Sequence, residues 1–490
     1  MLKKTGIALL AMLMAVSPCL AELPEPAEVP TDMIIGEARE AYRTDAVIYY
    51  KTLDGTGLTA VRRTLEVPQD KTAVRVALEE LLSPNGAANV ISVAPGDAEI
   101  IGIENACGLA TVNLAVDAAS LQSGQDLLMM VTAISNTLMS LSGVGAVNVL
   151  IDSRQESAFE LPIGATTATE GDVTVLAAQY QADEERFLGA EEGATPLSRT
   201  VALYFPSVNG QWTLPELRRV DFKGADYAAR LLDELIVGST SGGAYASFLS
   251  GGVSVLAAEP RLSVSSAGVR VLDVYLTGAL RDYLILQGIA EWQMAAAITL
   301  TMTTFIPELD AVSIYIDGAA MTQLNLRGNM RTFADGLLRR DDFSSYIGGI
   351  APLYFSDGQG GLTKVERAMS ARRAQSAYSL VLQLISGPSS GDAGAQAVMP
   401  VGATADDLLG VSIEDDVATV NFSANFYRLC QTLDETGERS LVYSIVNTLT
   451  EMPDVSAVSI LIEGERVETL ANEVYLKSEL MPNPGLVGRQ

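Results

Sequence analysis

The serine most suggestive of nucleophilic chemistry lies in the stretch Gly387-Pro388-Ser389-Ser390-Gly391, which matches the G-x-S-x-G pattern of a nucleophile elbow. Such a serine needs a strand before it, a helix after it and a histidine as its base. The sequence contains no histidine, and the apolar spacing before Gly387 is that of a helix. We therefore interpret this pentapeptide as the end of a helix, and we expect no histidine-dependent hydrolase chemistry.

Carboxylates are the other candidates, because Asp and Glu outnumber Lys and Arg by 60 to 32 and leave a net charge of −28. Two carboxylates could do acid–base work on a sugar chain. The recurring acids Asp152, Asp317 and Glu463, however, each stand alone at a strand end, where a polar residue begins a turn. With no calcium-loop pattern either, we predict no catalytic residue, no cofactor and no metal site. The negative charge also argues against nucleic acid as a partner.

The first residues, 1–21, are typical of an export signal, since Lys3 and Lys4 precede an apolar run that is too short to span a bilayer. Two outcomes of processing compete. Cleavage after Ala21 leaves an acidic, proline-rich tether over residues 22–44. Alternatively, Val16-Ser17-Pro18-Cys19 resembles a lipobox, and Cys19 would then carry a lipid. Both outcomes predict a protein that acts outside the cytoplasm.

Cysteine usage adds little chemistry. Besides Cys19 the chain contains Cys107 and Cys430, which are too few for a disulfide scaffold. The sequence alone leaves open whether Cys107 and Cys430 form a disulfide bond. We expect stability to come from packed apolar cores.

One pattern of elements occurs three times along the chain. Each copy begins with a strand that contains a tyrosine, at Tyr49, Tyr204 and Tyr354, followed by a glycine-containing turn and a second strand. An amphipathic helix, two strands, a longer amphipathic helix and a β-branched closing strand follow. The order ββαββαβ predicts an α/β (α+β) fold in which two helices cover a mixed sheet. Apolar residues on both faces of the closing strand predict that it lies in the interior of its sheet.

A repeat distance of about 150 residues is too long for solenoid repeats and indicates tandem domains. We place the three domains at residues 45–159, 199–325 and 351–472. The polar stretches 160–198 and 326–350 are then linkers, and residues 473–490 form a tail.

The order of short motifs resembles that of the sporulation and spore germination (GerMN) domain family. A helix end, a strand and a pair on the long helix carry the resemblance in the third copy: Gly387-Pro388, Ala418-Thr419-Val420-Asn421-Phe422 and Asn447-Thr448. The same positions in the first copy are Ser83-Pro84, Thr111-Val112-Asn113-Leu114 and Asn136-Thr137. The second copy departs from the pattern, with Gly238-Ser239 and Leu300-Thr301. The resemblance implies three tandem GerMN-like domains whose motif positions serve the structure.

Proteins of the family that this chain resembles look like noncatalytic parts of the bacterial envelope, and some domains of related shape pack into rings. The resemblance therefore implies an exported assembly or scaffold module that contacts other envelope proteins or itself. Membrane attachment would follow if Cys19 is lipidated. A binding module for cell-wall sugar or peptide is the alternative, since three copies could add avidity. A wall hydrolase is a third hypothesis, and it requires two carboxylates close together in a cleft.

Overall fold

The computed structural model describes residues 42–68, 71–83, 90–96, 98–117, 121, 123–167, 172–189, 195–248, 255–265 and 268–488. The predicted export signal, most of the predicted tether, Cys19 and Pro84 lie outside these residues.

Unit 1 combines a hairpin, a short helix, a three-stranded sheet and a long helix. Its helices are α1 (Ala73–Leu82) and α2 (Gly124–Leu138). Its strands are β1 (Tyr42–Thr52), β2 (Leu58–Val67), β3 (Val90–Ile91), β4 (Glu99–Ala106), β5 (Leu109–Ala115), β6 (Ala146–Ile151), β7 (Ser157–Ala158) and β8 (Leu161–Pro162). A further helix, α3 (Val173–Phe187), lies in the stretch predicted as a linker and packs against α2.

Unit 2 repeats this order and adds one helix before the long one. Its helices are α4 (Tyr227–Val237), α5 (Gly278–Gln287) and the long α6 (Glu291–Phe305). Its strands are β9 (Leu197–Pro206), β10 (Thr213–Phe222), β11 (Leu256–Val264), β12 (Arg270–Leu276), β13 (Ala311–Ile316), β14 (Ala319–Ala320), β15 (Gln323–Leu326) and β16 (Asn329–Thr332).

Unit 3 repeats it again. Its helices are α7 (Ala371–Ala374), α8 (Ala377–Ser386), α9 (Ala424–Cys430) and the long α10 (Glu435–Leu449). Its strands are β17 (Gly348–Ser356), β18 (Leu362–Ser370), β19 (Leu408–Glu414), β20 (Val417–Phe422) and β21 (Ala457–Ile462). Neither α5 nor α9 is expected from the sequence pattern.

The predicted mixed sheet is confirmed in every unit. The middle strand pairs antiparallel with the strand before it and parallel with the closing strand: β5 with β4 and β6, β12 with β11 and β13, and β20 with β19 and β21. A parallel pair needs a crossover connection, and the long helix supplies it. The first two strands of each unit form an antiparallel hairpin outside the mixed sheet, and the long helix packs against it. In unit 1 the short β3 also pairs with β1.

The closing strand lies at the edge of its sheet in units 1 and 3, so the prediction of an interior strand is wrong there. Its residues are nevertheless buried, and all six residues of β6 are. A backbone bridge from a downstream segment covers the outer edge of the strand. The bridge recurs in all three units: Val147 with Thr166, Val312 with Leu338, and Val458 with Leu480.

Two large apolar cores hold the molecule together. One runs without interruption through units 1 and 2, and the other lies within unit 3. A smaller cluster of Leu214, Ala244 and Ala368 joins units 2 and 3. Helix α6 is buried on all sides from Trp292 to Phe305, as expected for a helix that is apolar around its circumference. Within the described ranges, no helix has the length and apolar character needed to cross a membrane.

Candidate functional site

One threonine on each long helix binds the backbone of the hairpin. Its hydroxyl accepts a hydrogen bond from the amide of the hairpin tyrosine, and each of the three threonines is fully buried. The N···O distances are 2.9–3.0 Å: Tyr49 to Thr137, Tyr204 to Thr301, and Tyr354 to Thr448. These hydroxyls satisfy amides that a neighbouring strand would otherwise bind. The hairpin can therefore end at a helix instead of joining the mixed sheet.

We expect Thr301→Val to lower the free energy of unfolding by about 1–2 kcal/mol, because the buried Tyr204 amide loses its acceptor. Thr299, on the same helix, is the matched control, since its buried hydroxyl has no hydrogen-bond partner among the described residues. Thr299→Val should leave stability unchanged or raise it by up to about 1 kcal/mol. Urea unfolding measures both variants, and equal losses would contradict the role given to Thr301.

An arginine on the second hairpin strand binds the end of the shorter helix. Arg218 Nη2 donates to the Gly238 carbonyl at 2.9 Å, and Arg367 Nη2 donates to the Gly387 carbonyl at 3.1 Å. A cation at a helix C-terminus is stabilised by the helix dipole. Arg63 occupies the same register position in unit 1.

The guanidinium groups of Arg218 and Arg367 are also held by acids: Arg218 pairs with Glu234 at 2.8 Å and Arg367 with Asp392 at 2.6 Å. These arginines are functional positions that the sequence patterns described above do not include. The signal was present, because an arginine follows the hairpin tyrosine at nearly constant spacing in all three copies.

The G-x-S-x-G pentapeptide is a helix end followed by a turn. Gly387 is the C-cap of α8, with a φ of 79° that favours glycine, and the half-buried Pro388 follows it. The Ser389 amide donates to Asp392 Oδ2 at 2.6 Å. In unit 1, Ser83 is the C-cap of α1, and its amide donates to the Glu79 carbonyl at 3.0 Å. No strand leads into Ser389, so the geometry of a nucleophile elbow is absent from this described stretch.

The motif asparagine of unit 3 clamps a chain segment. Asn447 Nδ2 donates to the Asn483 carbonyl at 3.2 Å, and Asn447 Oδ1 accepts from the Asn483 amide at 2.8 Å. Asn136 is buried at the same position in unit 1, and unit 2 has the fully buried Leu300 there. The neighbouring threonines bind the hairpin, so each member of the Asn-Thr pair contacts a different element.

Two of the three acids at the strand ends have structural partners. Asp152, Asp317 and Glu463 adopt left-handed φ angles of 49°, 47° and 51° in the turn after the closing strand. Asp317 Oδ1 accepts from the first amide of α5, at Gly278, at 2.7 Å. Glu463 Oε1 accepts from the first amide of α9, at Ala424, at 2.8 Å. Carboxylates stabilise helix N-termini in this way.

Cys107 and Cys430 are both free thiols, so the disulfide left open by the sequence does not form. Cys107 is exposed, whereas Cys430 is fully buried, and burial raises the pKa of the Cys430 thiol to about 12. Over the described ranges, no group of three Cys, Asp or Glu side chains is placed to hold a metal ion.

A cleft of about 520 Å³ opens in unit 2 between the start of α6 and the β15–β16 hairpin. The Arg327 guanidinium lies beside it, 3.9 Å from the centre of the Trp212 ring and 5.0 Å from that of Tyr346. The cleft wall combines an aromatic ring, a carboxylate, amides and an exposed methionine: Trp292, Glu291, Gln323, Asn325 and Met330.

A family model described as "Sporulation and spore germination", named Germane, matches residues 47–157, 202–322 and 352–468, which make up more than half of the chain. The chain belongs to the Germane family. The resemblance stated from the sequence is thereby confirmed, and each of the three Germane matches falls on one of the three units described above.

Three solved structures are similar to parts of the chain. The tandem GerMN domains of the sporulation protein GerM from Bacillus subtilis share 16% identity, over 59% of this chain and 98% of that one, with a TM-score of 0.24. The first GerMN domain of the same protein shares 20% identity, over 26% and 95%, with a TM-score of 0.20. A putative lipoprotein from Clostridium perfringens shares 15%, over 24% and 83%, with a TM-score of 0.15. A comparison with curated protein sequences gave no match.

The three Germane units contact one another through polar side chains as well as through the apolar cores. Asn105 Nδ2 in unit 1 donates to Gln375 Oε1 in unit 3 at 3.3 Å, and Gln375 Nε2 donates back to the Asn105 carbonyl at 2.5 Å. Asn209 Nδ2 in unit 2 donates to the Ala368 carbonyl in unit 3 at 2.8 Å. Arg154 in unit 1 pairs with Asp310, next to β13 in unit 2, at 3.2 Å. Each unit therefore has a polar contact with both of the others.

Proposed function

We propose that this Germane protein is an exported, noncatalytic envelope component that acts as a rigid assembly module through protein–protein contacts. The observation that carries the proposal is the use of the recurring polar residues. The motif threonines, the hairpin arginines and two of the strand-end acids bind backbone groups of their own unit, which is a structural use. Family membership supports the same role.

The contacts between units support a rigid body. Residues of unit 1 bind both unit 2 and unit 3, and Asn209 ties unit 2 to unit 3. A body held at three boundaries can present its outer surfaces in fixed relative positions, which suits a scaffold. In this proposal the acidic surface serves solubility and the choice of partners.

Crosslinking in the native host, followed by identification of the attached proteins, tests the assembly role. We expect a small and reproducible set of envelope proteins, or copies of the chain itself. The matched control is the chain without residues 1–21, which should remain in the cytoplasm and lose these partners. Identical crosslinks with and without this segment, or none above background, would refute the proposal.

Mass spectrometry of the mature N-terminus tests export and anchoring together. Cleavage after Ala21 predicts a first residue Glu22, whereas lipidation predicts a modified Cys19 at the N-terminus. A Cys19→Ala variant separates the two outcomes. If the wild-type protein is lipidated at Cys19, the variant should be lost from the membrane fraction. If it is not lipidated, the variant should fractionate like the wild type. An intact Met1 in the native host would contradict export by this signal.

Binding of cell-wall sugar or peptide is the second candidate, and the cleft beside Trp292 favours it. Two amides and one carboxylate lie beside the buried Trp292 at this cleft, and such groups can bind a polar ligand. Sedimentation with purified wall material tests it, with Gln323→Ala as the cleft variant and the exposed Gln287→Ala as the control. Retention that is equal in both variants, or absent from the wild type, would remove this candidate.

Wall hydrolysis is not proposed. Glu291 is the only carboxylate in the described lining of the cleft, and it forms an ion pair with Arg281. The two-carboxylate arrangement that glycoside hydrolysis requires is not formed there.

A further inference from the structure

Residues 483–488, which we name the strap, pair with the start of β18 in unit 3. The strap forms a 3-10 turn over Pro484–Leu486, and Val487 then makes a parallel bridge with Leu362, the first residue of β18. The Gly488 amide donates to the Leu362 carbonyl at 3.0 Å. At its other end Asn483 is held by the two hydrogen bonds of Asn447.

The junction between units 2 and 3 has the same geometry. A 3-10 turn over Ser344–Tyr346 is followed by Ile347, which makes a parallel bridge with Thr213, the first residue of β10. Gly348 comes next and begins β17. A Cβ at Gly348 would lie 2.6 Å from that of Trp212, so the segment approaches the hairpin too closely for a side chain. Two segments of different sequence thus occupy equivalent sites on two units.

The residue before each 3-10 turn is an anchor. In unit 3 the anchor is Asn483, and Asn447 binds its backbone. In unit 2 the anchor is Phe343, which is fully buried in the same core as Leu300, the counterpart of Asn447. A polar helix residue accompanies a polar anchor, and an apolar one accompanies an apolar anchor. The site on unit 3 therefore binds the backbone of the segment at both of its ends.

We propose that this site on unit 3, bounded by Leu362 and Asn447, is a peptide-binding groove that receives a partner's segment when the strap leaves it. The occupant is an uncharged segment with asparagine at the anchor, a 3-10 turn and then a β-branched residue and glycine. The strap itself defines this chemistry, since residues 481–488 carry no charge in a strongly acidic chain. The proposal rests on the assembly role proposed above and names the contact that it would use.

The strap lies more shallowly than the junction. Pro484, Gly485 and Gly488 are exposed and Val487 is half-buried, whereas its counterpart Ile347 is buried. Little apolar surface therefore holds the strap in place. Because the strap is part of the same chain, it competes for the groove at an effective concentration of the order of millimolar. A segment from another protein must therefore bind tightly, or the strap must bind weakly.

Fluorescence polarisation with a labelled peptide of residues 481–488 tests the groove in the full-length chain. Wild-type protein should bind it weakly. A strap variant, Asn483→Pro with Val487→Ala, should bind at least about tenfold more tightly, because proline removes the amide that donates to Asn447 and the variant's own segment competes less. Salt should change the affinity less than twofold, since residues 481–488 carry no charged side chain. Equal binding by wild-type and strap variant, with unchanged urea midpoints, would overturn the proposal.

Adding Asn447→Leu to the strap variant tests the anchor. Affinity for the peptide should fall about tenfold with the loss of two hydrogen bonds. If the variant with Asn447→Leu does not fold, a second peptide tests the same contact. Proline in place of the peptide's asparagine removes the amide N–H that donates to Asn447 Oδ1. Indifference to both changes would refute the anchor. If the crosslinked partners are found but the peptide does not bind, the assembly role is supported and the peptide-binding groove is refuted.

Discussion

An Arg340→Met chain should unfold with a free energy about 3–5 kcal/mol below that of the wild type at pH 7. Arg340 is only 3% exposed, and its guanidinium binds the Glu104 carboxylate of unit 1 and the Thr304 hydroxyl of α6. It also lies 5.9 Å from the centre of the Tyr204 ring. Breaking a buried ion pair by removing one partner is costly because the other charge remains without compensation.

The loss should depend on pH. Burial raises the pKa of Glu104 above its ordinary value, and the charge of Arg340 opposes that rise. Without Arg340 the folded-state pKa rises further, so the folded protein binds this proton more tightly than the unfolded chain does. Stability is then lost as pH increases through the unfolded and then the folded pKa. The deficit of Arg340→Met should therefore shrink as pH falls from 7 towards the ordinary glutamate value of about 4.5.

Urea unfolding at the two pH values measures this, with Arg339→Met as the matched control. Arg339 pairs with Asp335 at the surface, where both side chains are about half exposed, so its loss should cost under about 1 kcal/mol. Adding Glu104→Gln should restore part of the stability of Arg340→Met, since it removes the uncompensated charge. Similar losses for Arg339→Met and Arg340→Met would show that the buried pair does not join the units.

Glu438→Ala should cost about 3–5 kcal/mol through a different mechanism. Glu438 is fully buried on α10, and its two carboxylate oxygens accept from the amides of Leu470 and Glu473 at 2.7 and 2.6 Å. Alanine leaves both amides without an acceptor and also opens a cavity. The segment around residues 470–473 should then detach from α10 before the rest of unit 3 unfolds.

Hydrogen exchange at the Leu470 amide, together with urea unfolding, measures the effect of Glu438→Ala. The control is Glu435→Ala in the first turn of the same helix, where the side chain is exposed and only a helix-dipole contribution of under about 1 kcal/mol is lost. Fast exchange at Leu470 in the control as well would mean that helix fraying, and not the buried carboxylate, governs this segment.

The repeated order of elements could be predicted because it depends on local periodicity. Alternation in β5 and β20 and three-to-four spacing in the helices mark the same elements that the structure contains. The edge position of the closing strand could not be predicted in this way. Burial on both faces does not distinguish pairing on two edges from pairing on one edge with a covering bridge, as at Val458 and Leu480.

The residues of the candidate site divide similarly. Asn447 and Thr448 stand out in the sequence as motif positions, yet their partners, Asn483 and Tyr354, are distant in the chain. Arg340 belongs to a charged run that resembles a solvated linker, and nothing in the neighbouring sequence indicates that it pairs with Glu104.

By itself the sequence determined the number of units, their order of strands and helices, the family and the lack of histidine chemistry. Tertiary structure alone decided that the hairpin ends at a threonine-bearing helix, that Arg340 is buried between units, and that two unlike segments occupy equivalent grooves. The physical reason is the distance along the chain over which each effect acts. Periodicity and turn preferences act between neighbours in the chain, whereas a buried polar group is stable only beside a partner that folding brings to it.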